Sequence, residues 1–441
     1  MDHSLFLGLI GLVALIVLIG LRVPIAYAMI LIGAVGTISL NGPAIFLNQL
    51  KTLGYSQFSK YDLSVIPMFV LMGYLATRAG LSQDLFRAAN AWFGRMRGGV
   101  AMSAIAACAG FGAVCGSSLA TATTMGQVAL PELKRYNYSG SLATGSLAAG
   151  GLLGILIPPS VVLVIYAIIV EANIVSMFAA ALIPGLIAVL LFILTIAVFV
   201  RINPQAGPAA EKLPEGEFLA ATLSVIPVLA IFVLVIGGIY AGFYNPTPAA
   251  AIGVALVAIY GTLRRGVKLS DYRWAILETA KTSGMIYLIL FGAELLKIFM
   301  SRGGVPQAAA SWMVNSGLPP MGIVIVLLIA LIFLGCLMDS MSMILLVMPF
   351  FWPVVAELDL GMDPGDVKIW FGVLALIVVE LGLITPPVGM NVFVISALAK
   401  DVPMRETFRG VMPFFLVEIL RLAILIAFPA LSLWLPHLVT G

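Results

Sequence analysis

Oxygen-bearing side chains stand at two points inside otherwise apolar segments of this sequence. Ser117 and Ser118 separate one pair of apolar stretches, and Asp339 and Ser340 separate another. Hydroxyl, carboxylate and carbonyl oxygens are hard ligands that suit a cation such as Na⁺. A carboxylate in an apolar segment is costly, so Asp339 is a functional candidate by default. We therefore predict that these residues bind a cation.

A simpler explanation competes for the threonines that follow Ser118. Serine and threonine in membrane helices often hydrogen-bond their own helix backbone. That explanation is favoured for Thr123 and Thr124. A functional role is favoured for Ser117 and Ser118, because they lie where the helix is interrupted.

Paired prolines interrupt two further apolar runs, as GILIPP at 154–159 and as GLITPP at 382–387. Proline removes a backbone donor and disfavours helix at the residue before it. The second run should therefore unwind at 383–385 and restart a helix at Pro386, with Thr385 as its cap. The freed carbonyls would face a cation, and the restarted helix would offer its amides to an anion. A plain proline kink is the alternative, and the recurrence of the break argues against it.

Other charges inside apolar runs need separate explanations. Glu294 and Lys297 are three residues apart, as are Glu418 and Arg421, so each pair lies on one helix face and predicts a local ion pair. Glu380 has no such partner. It could bond a neighbouring helix or line the site, and the sequence leaves both open.

Catalytic chemistry has few candidates in this chain. The two histidines lie near the termini, and the three cysteines lie in apolar segments without metal-ligand spacing. An intramembrane enzyme would have only Asp339 and Glu380 as unpaired acids. We therefore assign no catalytic residues and treat an enzyme as a remote alternative.

The composition indicates an all-α polytopic membrane protein. Of the 441 residues, 62% are hydrophobic and 10% are charged, and many apolar runs reach about 20 residues, the span of a bilayer core. The first run reads as a retained helix rather than a removed signal peptide. The net charge of +3 gives no argument for nucleic acid. The predicted spans are 4–21, 24–41, 62–79, 138–170, 174–200, 218–243, 247–263, 283–300, 369–399 and 411–436.

Two stretches, 99–131 and 319–356, are long enough for two short helices each and are broken by small or polar residues. We predict that each is a re-entrant hairpin with the residues described above at its tip. The polar, proline-rich segment 202–217 predicts a linker. Amphipathic helices along the membrane interface are predicted for 42–60, 80–97, 267–282 and 303–318.

The two halves of the chain repeat. RAGLSQ at 78–83 matches RGGVPQ at 302–307, and the two proline breaks match at nearly the same offset. We predict two repeats, 1–201 and 218–441, each with about five spans and one hairpin. An odd number of crossings inverts the second copy. The basic loop at 264–273, whose counterpart near 40–49 is uncharged, agrees with inversion because basic residues stay in the cytoplasm. Both termini are then periplasmic.

Three stretches together resemble the large membrane subunit of the tripartite ATP-independent periplasmic (TRAP) transporters. They are FGAVCGSSLATATTMGQVALPEL (111–133), GILIPPSVVLVIY (154–166) and GLITPPVGMNVFV (382–394), in this order. The similarity covers essentially the whole chain, and the combination is specific.

The resemblance implies a multi-pass protein of the bacterial inner membrane that imports organic acids, often C4-dicarboxylates or sialic acid, with a Na⁺ gradient. It implies two partners, a small four-helix membrane subunit and a periplasmic substrate-binding protein. It also implies an elevator mechanism, in which hairpins and broken helices slide as a transport domain against a scaffold.

The resemblance also implies site residues. The first Na⁺ site would use Ser117, Ser118, Gly154, Ile157 and Pro159, and the second would use Asp339, Ser340, Gly382, Thr385 and Met390. Ile157 stands where Thr385 stands, so the two sites need not be equivalent. No arginine falls in either tip or break, so we expect amide dipoles, hydroxyls and bound Na⁺ to hold the substrate anion. The candidate substrate-binding residues are Thr121, Thr124, Ser342, Pro386, Gly389 and Asn391.

An alternative within the same architecture is a stand-alone Na⁺- or H⁺-coupled anion carrier that needs no binding protein. Neighbouring genes for a binding protein and a small four-span subunit would separate the two possibilities.

Overall fold

A computed structural model describes residues 3–210, 216–314 and 317–440, and helices dominate throughout these ranges. The first ten helices are α1 (His3–Gly20), α2 (Ile25–Asn41), α3 (Pro43–Phe58), α4 (Val65–Arg78), α5 (Leu81–Phe93), α6 (Gly99–Cys115), α7 (Ser118–Arg135), α8 (Gly140–Leu156), α9 (Val161–Val170) and α10 (Ile174–Ile202).

The second half of the chain continues with ten more helices. They are α11 (Glu217–Tyr240, with a π-helical turn at Val233–Gly237), α12 (Pro246–Arg265), α13 (Leu269–Arg302), α14 (Val305–Val314), α15 (Pro320–Gly335), α16 (Ser340–Ala356), α17 (Pro364–Gly382), α18 (Met390–Leu398), α19 (Met404–Ala427) and α20 (Ala430–Thr440). Part of the predicted linker, 211–215, lies outside the described residues.

The structure agrees with a membrane protein. Among the described residues, six helices are long and apolar enough to cross a bilayer, and two bent helix pairs raise the number to eight. The bent pairs are α4 with α5, at 65°, and α8 with α9, at 46°. Helix α1 buries little of its apolar surface against the rest of the chain, as expected for a helix that faces lipid.

Two of the predicted spans have different bounds. Segments 267–282 and 283–300 form one helix, α13, because no proline interrupts them and a single glycine does not stop a helix. The predicted span 411–436 is two helices, α19 and α20, that separate at Phe428 and Pro429. The residue before a proline is pushed out of the helical region, and Phe428 has φ −129 and ψ 73.

Each predicted hairpin consists of two helices that meet at the predicted break. Helices α6 and α7 meet at Gly116 and Ser117, and α15 and α16 are separated by 336–339. The re-entrant path, the repeats and their inversion stay predictions.

Helices α8 and α17 lie inside the protein, since most of their residues are buried. Helix α8 packs against α6, α7, α18 and α19, whereas α17 packs against α9, α15, α16 and α19. Small residues allow these helices to approach closely. A Cβ built at Gly382 would lie 2.5 Å from the backbone carbonyl carbon of Gly335, so α17 crosses α15 at this point in near backbone contact. The two tips and the first break lie in one region, because Gly116 approaches Pro159 and both tips reach Glu380.

Candidate functional site

Both tips are helix N-termini with an oxygen-bearing cap. Ser117 precedes α7 and accepts a hydrogen bond from the Ala120 amide at 3.4 Å. Asp339 precedes α16, and its Oδ2 accepts one from the Ser342 amide at 3.1 Å. Aspartate and serine suit this position because the first amides of a helix lack partners within it.

A single carboxylate connects the two tips. The Ser118 hydroxyl donates to Oε2 of Glu380, and the Ser340 hydroxyl donates to Oε1 of the same side chain. All three side chains are buried. Of the two interpretations that the sequence left open for Glu380, bonding to neighbouring helices is therefore confirmed.

A small cavity of about 60 Å³ lies between the tips. It is large enough for a cation and a water molecule, since a water in the liquid occupies about 30 Å³. Four of the predicted cation ligands share it. Its lining residues are Gly116, Ser117, Ser118, Leu119, Ile155, Val162, Asp339, Ser340 and Met341.

Most of the first predicted Na⁺ set lies around the first tip. A Cβ built at Gly154 would lie 2.5 Å from Thr121 Oγ1 and 2.6 Å from the Ser117 carbonyl oxygen, and one built at Gly116 would lie 2.9 Å from the Pro159 carbonyl oxygen. Thr121 Oγ1 is buried and has no oxygen or nitrogen partner among the described residues, although the Cys115 sulfur, a weak partner, lies beside it. The lone pairs of this oxygen and the neighbouring carbonyls fit a cation.

The side chains of two members of the first set make other contacts. Ser118 lines the tip cavity, but its hydroxyl donates to Glu380. Ile157 directly follows α8, and its side chain packs against Gly185 of α10.

The second predicted Na⁺ set is more dispersed. Asp339 and Ser340 lie at the tip cavity, but its lining does not include Gly382, Thr385 or Met390. The Thr385 hydroxyl donates to the Leu381 carbonyl oxygen at 2.7 Å, so it bonds its own helix. The tips are thus brought together at this cavity, whereas its lining contains no residue of the second break.

The second break is longer than predicted, and its helix restarts at Met390 rather than at Pro386. Two residues in succession, Thr385 and Pro386, precede a proline and are pushed out of the helical region. Gly389, with φ +62, then directs the chain into α18, a conformation that glycine adopts without strain. Thr385 consequently does not cap this helix.

Of the six candidate substrate residues, four are buried, Pro386 is exposed, and Thr124 lines a separate cavity. Thr121 and Asn391 are buried; Asn391 donates to the Ala148 carbonyl oxygen at 3.3 Å, and its Oδ1 has no partner among the described residues. Ser342 is buried beside the second tip, and Pro386 is exposed. Gly389 packs against Phe408. Thr124 lines a larger cavity of about 840 Å³, described below.

Two functional candidates escaped the sequence reasoning. Ser160 caps α9 by accepting from the Leu163 amide at 3.3 Å, and it is fully buried at the first break. The signal in the sequence that could have identified Ser160 is its position directly after the paired prolines. Arg78 lines the larger cavity, and its position at the end of an apolar helix gave no indication that it would.

Both predicted local ion pairs are present. Lys297 Nζ lies 3.9 Å from Glu294 Oε1. Arg421 pairs with Glu418, and both side chains are buried. Arg421 also donates to the Pro184 carbonyl oxygen of α10 at 2.9 Å, so this pair fastens α19 to a neighbouring helix.

Comparison with known proteins identifies relatives over most of the chain. Residues 12–431 match the family model described as the DctM component of the tripartite ATP-independent periplasmic transporters. The C4-dicarboxylate TRAP transporter large permease protein of Pseudomonas aeruginosa is 36% identical over 380 residues, 86% of each chain. The sialic acid TRAP transporter large permease protein of Vibrio cholerae is 30% identical over 421 residues, 95% of this chain and 96% of its own.

Solved structures share the fold at low sequence identity. The YdaH transporter of Alcanivorax borkumensis superposes with a TM-score of 0.66 at 14% identity, over 99% of this chain and 100% of its own. Neisseria gonorrhoeae MtrF gives a TM-score of 0.57 at 14% identity, over 97% and 95%. The family match, the close relatives and the apolar helices together show that this chain is a multi-pass membrane protein and belongs to the large (M) subunits of the TRAP transporters.

Proposed function

We propose that this chain is the large subunit of a Na⁺-coupled secondary importer of an organic acid, with a C4-dicarboxylate as the favoured substrate. The convergence of two oxygen-bearing tips on one buried carboxylate carries this proposal. A cation at the tips would be held by hard oxygen ligands, and its charge would help to hold the substrate anion nearby. The P. aeruginosa relative, named as a C4-dicarboxylate permease, supports the substrate class.

The first Na⁺ would lie among the Ser117 carbonyl, Thr121 and the carbonyls near Gly154 and Pro159. The second would lie at Asp339. Thr385 can contribute a lone pair while its hydroxyl hydrogen remains bonded to Leu381. Discontinuous helices near the middle of a membrane are the usual place for coupling ions in secondary transporters.

We further propose an elevator mechanism in which the tips and broken helices move together. The connection of both tips through Glu380 and the dense packing of α8 and α17 support movement of α6–α9 and α15–α19 as one body. The more lipid-exposed helices, such as α1, would form the scaffold.

The proposed partners are the small four-helix membrane subunit and the periplasmic binding protein that membership of the family implies. The proposed location is the bacterial inner membrane, with both termini in the periplasm. The relatives are named as transporter permeases, so the proposal contains no enzymatic step.

Reconstitution tests this function. Proteoliposomes that contain this chain and its small subunit should accumulate succinate only with an inward Na⁺ gradient and with the binding protein outside. Asp339→Asn keeps a helix-capping side chain but removes its charge. We expect it to raise the Na⁺ concentration for half-maximal uptake about tenfold, which corresponds to about 1.4 kcal/mol.

Asp363→Asn is the matched control, because Asp363 also precedes a helix but is exposed and distant in sequence from both tips. Its Na⁺ dependence should equal that of the wild type. Unchanged Na⁺ activation in Asp339→Asn would contradict the assignment of that residue. Uptake without the binding protein would support the stand-alone carrier instead.

A further inference from the structure

A cavity of about 840 Å³ lies beside the first hairpin. One wall belongs to α4 and α13, and the opposite wall belongs to α7. This volume is ample for a small organic acid with several water molecules. The lining residues are Tyr74, Thr77, Arg78, Gln83, Cys115, Leu119, Ala120, Thr123, Thr124, Gln127, Val128 and Trp274.

Arg78 is the charged residue of this lining, and aromatic side chains hold it in place. Its Cζ lies 4.0 Å from the centre of the Trp274 ring. Tyr74 packs edge-on against the same ring, with 5.4 Å between centroids, and its hydroxyl lies 2.9 Å from Thr282 Oγ1. A guanidinium held over the face of a tryptophan ring can still present N–H donors from its edge to a carboxylate.

The charge of Arg78 is only partly compensated within the protein. The nearest carboxylate oxygen, Asp271 Oδ1, lies 3.8 Å away, which is beyond hydrogen-bond distance. Oδ2 of that aspartate accepts from the Lys268 amide at 3.0 Å. The Arg78 side chain is 42% exposed. The donors of the guanidinium are therefore available to a ligand in the cavity.

The opposite wall offers neutral hydrogen-bonding groups from the helix that begins at the first tip. Thr123 and Thr124 face the cavity together with Gln127, which is exposed. Leu119 lines both this cavity and the small cavity between the tips. The two cavities are thus adjacent, with Leu119 between them.

We propose that the larger cavity is a second binding site for an organic carboxylate, used after the anion leaves the tips, and that Arg78 is its charged anchor. This proposal rests on the proposed function. On the proposed topology Arg78 lies at the cytoplasmic end of α4, so the site lies on the release path. Arg78 thus provides this cavity with a cationic side chain, which both hairpin tips and both proline breaks lack.

Product inhibition tests this proposal, because it reports affinity on the cytoplasmic side. Proteoliposomes are preloaded with unlabelled succinate, and the binding protein is added outside to select one orientation. We expect Arg78→Gln to raise the internal succinate concentration that halves uptake at least about tenfold, because a charge-assisted hydrogen bond is lost. Arg78→Lys should have a smaller effect. Arg87→Gln, which removes an exposed charge from α5 outside the cavity, should behave as wild type.

A binding measurement covers variants that assemble poorly or do not transport. Succinate should raise the thermal midpoint of the purified wild-type and Arg87→Gln proteins in detergent, and the neutral analogue succinamide should not. The response of Arg78→Gln should be clearly smaller, because only the site at the tips remains. Equal product inhibition in Arg78→Gln and Arg87→Gln would overturn the second site while Na⁺-driven uptake stands. Absence of Na⁺-driven uptake in the wild type would instead contradict the proposed function. A thermal response to succinate in Arg78→Gln as large as in the wild type would overturn the role of Arg78 by itself.

Discussion

Glu380 is the residue that connects the two tips, and its burial makes that connection costly to disturb. A buried carboxylate is tolerated only when hydrogen bonds replace its water. Ser118 and Ser340 provide those bonds, one to each oxygen. The three residues come from α7, α16 and α17, so one carboxylate sets the relative positions of three elements.

Removing either serine hydroxyl should destabilise the protein. Ser118→Ala or Ser340→Ala leaves one buried carboxylate oxygen without a donor, at a cost of about 1–3 kcal/mol. We expect a lower thermal midpoint for each purified variant, compared at one heating rate. The effects of the two substitutions should not be additive, because both act on the same carboxylate.

Ser146→Ala is the control for this comparison. Ser146 is also buried, but its hydroxyl donates to Ala143 of its own helix at 3.2 Å. Its loss should change the midpoint less. A Ser146→Ala variant as unstable as the two tip variants would show that the Glu380 bridge contributes nothing particular.

At the scale of elements, the position of α17 against α15 determines where the second break meets its hairpin. Gly335 and Gly382 let the two backbones approach closely. A salt bridge at the surface connects the first half to the second, since Lys134 at the end of α7 pairs with Asp401 after α18. This partner lowers the pKa of the Asp401 carboxyl.

Gly382→Ala should separate α15 from α17. The added methyl group would meet the Gly335 backbone, and overpacking of this kind costs about 1–3 kcal/mol. We expect a lower thermal midpoint together with weaker Na⁺-driven uptake. Gly284→Ala in α13 is the control, since a Cβ there has no heavy atom within 4 Å, and alanine favours a helix. Equal behaviour of the two variants would rule out a role for the close crossing.

At the scale of the whole molecule, the distribution of basic residues supports the proposed orientation. Residues 264–273, from the end of α12 to the start of α13, are basic, and residues 40–49, from the end of α2 into α3, are uncharged. The predicted repeat assigns these two segments to corresponding positions. The positive-inside tendency then places them on opposite sides of the membrane.

Cysteine labelling tests this orientation. Ser270→Cys and Asn48→Cys place a thiol at exposed positions near the starts of α13 and α3, and the native cysteines are buried. In intact cells, a membrane-impermeant maleimide should modify position 48 but not position 270. Both should react after permeabilisation, which controls for accessibility. Modification of both positions from outside would contradict the inverted arrangement.

Local signals in the sequence located the breaks but not all of their details. Ser117 and Asp339 were expected at interruptions and are helix caps, because capping depends on neighbouring amides. The predicted start of α18, Pro386, was wrong by four residues, since a second proline extends the break to Gly389. The division between α19 and α20 was not predicted, because the apolar run continues across the break and only Pro429 marks it.

The sequence by itself determined the membrane class, the positions of the tips and breaks, and the family, because hydropathy, proline and capping residues act over a few neighbouring positions. Only the tertiary structure decided that Ser118 and Ser340 bond the same Glu380, and that Arg78 faces the helix of the first hairpin across a cavity. The two bonds to Glu380 join residues separated by 262 and 40 positions. They depend on how helices cross, and close crossings follow from the packing of many small residues rather than from any one motif.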